Sequence, residues 1–222
     1  MKPFLLTFTL SLLSLFKLHA QLPATMLRVG TVGVRGETTT QPIMKEDYGF
    51  DISGTFMYPL ANEQFNVFAE VNYSTAKLED VFSSNYYFKN GAPSNVITSS
   101  VGHAYFGAGM RFYLTGEVRR FNPYFGQILP FVGLSAGFTH ISTDVDFPTG
   151  YDVSFDIAEK SFTEFAFQLD GGVVFVLDKQ WAVELYGAAR PGISDYYDGI
   201  KGISDVKDWL VRLGVGVQYR LD

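Results

Sequence analysis

Apolar and polar side chains alternate along most of this chain with a period of two, the spacing of β-strands whose two faces meet different surroundings. The run from Tyr48 is the clearest: Tyr48, Phe50, Ile52, Gly54, Phe56 and Tyr58 share one face, and Gly49, Asp51, Ser53, Thr55 and Met57 the other. After a turn over Pro59-Leu60-Ala61-Asn62-Glu63, residues Phe65, Val67, Ala69, Val71 and Tyr73 oppose Asn66, Phe68, Glu70, Asn72 and Ser74. The pattern returns over 102–114, with His103, Tyr105 and Arg111 on the polar face, and from 162, where Phe165, Phe167 and Leu169 oppose Glu164, Gln168 and Asp170. It returns again from Trp181, with Glu184, Tyr186 and Arg190 on the polar face, and from Trp209, where Val211, Leu213, Val215 and Val217 oppose Arg212, Gly214, Gly216 and Gln218. Two segments are less regular. Pro123 and Pro130 delay one strand until near Phe131, with Val132, Leu134, Ala136 and Phe138 on its apolar face. In residues 26–35 Arg28 shares parity with Val32 and Val34, so a bulge near Gly30 or Gly33 is expected to reset the face. The reading predicts eight strands.

Connection lengths add an independent signal. Those after strands two, four and six are short (59–64, 115–122, 178–180), and those after strands one, three, five and seven are long (37–47, 76–100, 142–161, 191–207). Strict long–short alternation is what a membrane-spanning up-and-down barrel shows, with turns at one rim and loops at the other. The faces support the same reading. A soluble lipocalin-like barrel would carry Lys and Glu outside, whereas this polar face is Gly, Ser, Asn, Gln and Tyr with single charges, a composition suited to a narrow lumen. Aromatics mark both strand ends on the apolar face: Tyr58, Phe65, Phe112, Trp181 and Tyr219 at one, and Tyr48, Tyr73, Phe165 and Trp209 at the other.

The N-terminus reads differently. Lys2, the apolar run Phe4 to Phe16 and Leu18-His19-Ala20 before Gln21 make residues 1–20 a cleaved signal peptide, leaving 21–222 as one barrel domain. The run is too short to span a bilayer as a helix. A formal charge of −6 argues against a nucleic-acid partner, and the lack of Cys excludes disulfides, thiolate metal sites and a lipoprotein anchor.

Chemistry-bearing motifs are sparse. His103 and His140, with Ser100, Ser142 and Glu164 at similar heights, are the residues an acyl-transfer site would need, but no motif ties a His to a Ser, and the expectation is no catalytic site. Asp144, Asp146, Asp152, Asp156 and Glu159 lack the spacing of a calcium loop and read as a solvated loop, so neither metal nor cofactor is expected. The informative charges lie on the polar faces. Asp51, Glu70, Arg111, Glu164, Asp170, Glu184 and Arg212 are expected to form a paired network plugging the lumen, with Glu70 meeting Arg111 on the neighbouring strand and Arg212 meeting Glu184 and Asp170.

Pro123-Tyr124-Phe125-Gly126, Pro130-Phe131-Val132-Gly133-Leu134 and Leu213-Gly214-Val215-Gly216-Val217-Gln218-Tyr219 are phrases of a known kind. Over residues 26–221 the chain resembles the small outer-membrane β-barrel proteins of Gram-negative bacteria, the OmpA/OmpX-like group. It departs from them in that Tyr219 is followed by Arg220, Leu221 and Asp222, where members end on an aromatic read by the assembly machinery. The resemblance implies an all-β, eight-stranded antiparallel transmembrane barrel in the cell outer membrane, monomeric, whose partners are outer-membrane lipid and that machinery. The expected function is structural or surface interaction without catalysis. The rivals are a small pore or apolar-ligand conduit and an outer-leaflet acyl hydrolase or transferase.

Overall fold

The computed structural model describes residues 23–35, 48–60, 64–81, 96–114, 126–146, 161–194, 197 and 208–221. The expected signal peptide lies outside the described residues. Eight strands follow one another: β1 (Ala24–Arg35), β2 (Tyr48–Pro59), β3 (Phe65–Val81), β4 (Val96–Tyr113), β5 (Ile128–Asp146), β6 (Ser161–Val176), β7 (Trp181–Pro191) and β8 (Trp209–Arg220). Each pairs antiparallel with the next, and β8 returns to β1 over a register running from Ala24↔Arg220 to Arg35↔Trp209, closing the barrel. Closure leaves no strand edge along the ring, which lets a sheet sit in hydrocarbon with its backbone satisfied.

The two faces separate by chemistry. Leu27, Val71, Phe106, Leu134, Phe138, Leu169, Leu213 and Val215 point outward, with exposures from 47% for Val215 to 63% for Phe106. Inward lie Arg28, Asp51, Glu70, Arg111, Glu184 and Arg212, none more than 1% exposed. An apolar exterior around a charged interior is the reverse of a soluble carrier, and it fits a barrel solvated by lipid. Phe65 stacks on Phe112 and Trp181 on Tyr219, each at 4.7 Å between centroids, at the end where β1 begins and β8 finishes. Tyr73, Trp209 and the edge-to-face pair Phe138–Phe165 stand exposed toward the other end.

Three expectations need correction. β1 carries no bulge: its register with β2 is unbroken from Ala24↔Met57 to Gly33↔Tyr48, and Arg28, Val32 and Val34 all point inward. The apolar pair faces the lumen because that end of it is itself apolar, with Val32 and Val34 packed among Ala76, Leu78, Val101, Ile141 and Leu210. β3, β4 and β5 also run far into segments expected as loops, pairing out to Val81↔Val96 and Thr98↔Asp146. Finally, connections do not sort strictly by length: residues 114–127 between β4 and β5 are as many as separate β3 from β4 or β5 from β6. Pro130 explains where that ladder stops. Its carbonyl accepts from the Leu114 amide at 2.8 Å, but it has no N–H to return, so β4 pairs no further while β5 still pairs with β6 to Ile128↔Phe175.

An outward Val215 is tested simply. Val215→Arg should cost about 2–4 kcal/mol in vesicle-reconstituted unfolding measurements, as a charge at mid-depth on the lipid face does. Wild-type stability in that variant would invert the face assignment.

Candidate functional site

The feature that stands out is the charged layer across the middle of the lumen. Its members come from seven of the eight strands, each delivered inward by the two-residue period. Arg28 of β1 donates to Glu184 of β7, through Nε at 2.9 Å, and to Asp170 of β6 at 3.3 Å. Arg111 of β4 reaches the same two carboxylates, Glu184 Oε2 at 2.6 Å and Asp170 Oδ2 at 3.2 Å. Arg212 of β8 reaches Glu70 of β3 at 2.8 Å and lies 3.6 Å from Asp51 of β2.

These ion contacts all skip at least one strand. The expected meeting of Glu70 with Arg111 on adjacent strands is therefore not made, nor is that of Arg212 with Glu184 and Asp170. An eight-stranded lumen is narrow enough for side chains to fill. Side chains on adjacent strands stand side by side, whereas an Arg extended across the ring meets a carboxylate head-on. Glu164 lies outside the layer altogether. Half-buried near the far rim, its carboxylate accepts from the amides of Ile193 and Ser194 and from the Ser194 hydroxyl, fastening the segment after β7.

Neutral groups complete the layer. Asp51 accepts from Asn72 Nδ2 at 2.6 Å, Ser74 Oγ at 2.7 Å and the Tyr186 hydroxyl at 2.7 Å. Gln168 donates to Glu70 at 3.0 Å while accepting from Arg190 at 2.7 Å, so an amide links a fourth buried guanidinium to the carboxylate. Arg111 lies over the Phe131 ring at 3.8 Å and Arg190 over Tyr105 at 3.9 Å. Space for this comes from inward glycines: a Cβ on Gly133 would sit 2.0 Å from Asp170 Oδ1. Arg28, Arg190, Tyr186, Gln168 and Asn72 were not assigned to the network from the sequence. The last four follow from strand parity alone, and Arg28 does so once the bulge is removed.

Apolar layers lie on both sides. Toward the end where β1 begins, Tyr113, Leu129, Phe131, Val174, Ala182 and Tyr186 pack in one cluster and Ala24, Met26, Met57 and Phe68 in another. Toward the opposite end, Tyr197 from the β7–β8 connection is fully buried in the cluster of Val32, Val34 and Leu210, edge-on to the His103 ring at 5.0 Å. Burial pushes the Tyr197 phenol's pKa above its ordinary value. His140 lies on the exterior, 2.9 Å from the Thr163 hydroxyl, so the two histidines occupy opposite faces of the wall. Among the described residues no group of three or more His, Cys, Asp or Glu is arranged to hold a metal ion.

A closed ring of eight antiparallel strands, apolar outside and charged within, is the fold of the small outer-membrane β-barrels. Among solved structures the chain is similar to Neisserial surface protein A, with 12% identity over 90% of this chain and 97% of that one and a TM-score of 0.54. It is also similar, at a lower TM-score of 0.43 and 11% identity, to the N-terminal β-barrel domain of Pseudomonas aeruginosa OprF, over 90% of this chain and 98% of that one. No protein-family model and no curated protein matches the sequence.

The pairing pattern makes a definite energetic forecast. Arg212→Met alone should destabilise the barrel by about 3–5 kcal/mol, because it strands Glu70 in the lumen. Adding Glu70→Gln should recover part of that loss, a coupling readable in a double-mutant cycle by urea titration in detergent. Purely additive losses would mean that the two side chains do not meet.

Proposed function

We propose that the protein is a monomeric outer-membrane barrel with a structural or surface-interaction role, no catalytic activity, and a lumen plugged by its own side chains. One observation carries this reading: the ion-paired layer of Arg28, Arg111, Arg212 and their carboxylates lies between apolar clusters toward both ends. A conducting lumen needs a continuous hydrated path, and two greasy layers enclosing paired charges work against one. The contacts left to such a barrel are external. Outer-membrane lipid covers the apolar band, and the barrel assembly machinery is the expected partner during insertion. The acidic net charge leaves nucleic acid out.

A surface role is supported by the unequal strand lengths. β2 pairs with β3 only as far as Phe50↔Thr75, and β6 pairs with β5 only as far as Ser142↔Ser161. The stretches beyond, Ala76–Val81 on β3, Val96–Val101 on β4 and Thr143–Asp146 on β5, pair with one another as a sheet rising past the rest of the ring. That sheet is the part of the described chain best placed to meet something outside the membrane.

Planar bilayers test the plug. Wild-type protein should pass no steady current, and a sustained single-channel conductance would favour a small pore instead. Outer-leaflet lipid from cells with and without the protein should carry the same acyl chains; a missing chain would make the protein an enzyme.

A further inference from the structure

Four arginines are buried in the lumen, and three of them meet carboxylates. Arg28 and Arg111 share Asp170 and Glu184, and Arg212 reaches Glu70 and Asp51. Arg190 of β7, 1% exposed, contacts no carboxylate among the described residues. Its Nη2 donates to the amide oxygens of Gln168 at 2.7 Å and Asn72 at 3.3 Å, and Glu70 is reached only through the far side of the Gln168 amide. The Tyr105 ring, 3.9 Å away, covers one face of the guanidinium. That leaves the in-plane donors Nε and Nη1, both buried and without a hydrogen-bond partner. Thr139 stands beside Tyr105 in the β4–β5 register, and its buried hydroxyl is unpartnered too. His103 lies two residues further along the inward face of β4.

Donors on a buried cation cost free energy until something accepts from them. Water meets the hydrogen-bonding need alone, whereas an anion also answers the charge. Access does not require the wall to open. Tyr197 belongs to the β7–β8 connection and not to a strand, and it caps this end of the lumen with its ring edge-on to His103 at 5.0 Å. Lifting that cap parts no pair of strands. The carboxylate nearest the start of the connection, Glu164, is engaged by the Ile193 and Ser194 amides and the Ser194 hydroxyl, so its charge is held by the connection itself. Full burial of Arg190, Thr139 and Tyr197 limits any occupant to a few ångströms across. We propose that Arg190, with the Thr139 hydroxyl and the His103 ring beside it, binds one halide-sized anion such as chloride beneath Tyr197. The site lies on the far side of the ion-paired layer and does not depend on whether that layer stops current.

The test compares urea unfolding of the full mature chain, folded in a neutral detergent, in sodium chloride, sodium bromide and sodium gluconate at one pH and ionic strength. Gluconate is too large for the enclosed space and serves as the reference. With halide at about ten times its Kd, the unfolding constant of wild type should be about tenfold lower than in gluconate, because only the folded barrel binds. Arg190→Met should remove the difference between salts, and Lys179→Gln, in the exposed turn before β7, should keep it. A second readout needs no variant: crystals grown in bromide should give an anomalous peak beside Arg190 Nε or Nη1. Should Arg190→Met fail to fold, that peak decides. Equal unfolding of wild type in the three salts, or no bromide peak at Arg190, would overturn the proposal and leave water as the partner of these donors. A halide effect undiminished in folded Arg190→Met would overturn it as well. A steady current through wild type would instead overturn the plugged-lumen reading, while a halide effect and a bromide peak in the same protein would still support the anion site.

Discussion

A charge facing the inside of a narrow, lipid-wrapped ring cannot turn to solvent, so it has to find its counter-charge across the ring. Much else in this barrel follows from that constraint. Arginine is the cation used because its forked, extended guanidinium can serve two carboxylates at once, as Arg28 and Arg111 both do with Glu184 and Asp170. Small inward residues such as Gly133 sit beside the large ones because the lumen has no volume to spare. The aromatic rings of Phe131, Tyr105 and Tyr186 lie against guanidinium planes, where they fill space and hold the charges in place at once.

The network also fixes register. A slip of one residue in any strand would swing its inward set to the lipid side. For β8 that would carry Arg212 into hydrocarbon, and for β4 Arg111. Buried ion pairs add little to stability compared with well-packed apolar groups of the same size. A register slip is penalised all the same, because it would leave buried charges without their counter-charges.

Much of this was legible in the sequence because a period of two survives wherever a strand has unlike faces. The inward or outward placement of Glu70, Arg111, Arg212, Leu169 and Val215 needs only parity. Three things were not legible, each for a physical reason. Arg28 shares its parity with two valines because the lumen is layered, charged at mid-height and apolar near the rims, so a single face is not of one character. The ion partners were missed because proximity in strand order is not proximity across a ring. The reach of β3, β4 and β5 was hidden because past the aromatic row the outward face stops being apolar and the contrast between faces fades: Thr75, Lys77 and Ser100 point outward where apolar residues would have marked a strand.

The way the ion pairs are strung between strands bears on how such a chain enters a membrane at all. Arg28 lies on the first strand and its carboxylates on the sixth and seventh; Arg212 lies on the eighth and its carboxylates on the second and third. No hairpin of consecutive strands contains both halves of a pair. A hairpin inserted alone would drag at least one unmatched charge into hydrocarbon, where Arg111 would wait for strands two and three further on and Arg28 and Arg212 for strands from the opposite end of the sequence. Stepwise insertion is thereby disfavoured, and the route left open is one in which the sheet is assembled and its first and last strands zip together as it crosses the bilayer. The charges that span the finished lumen thus also act on the path to it, since Arg28 and Arg212 find their carboxylates only once the circle is complete.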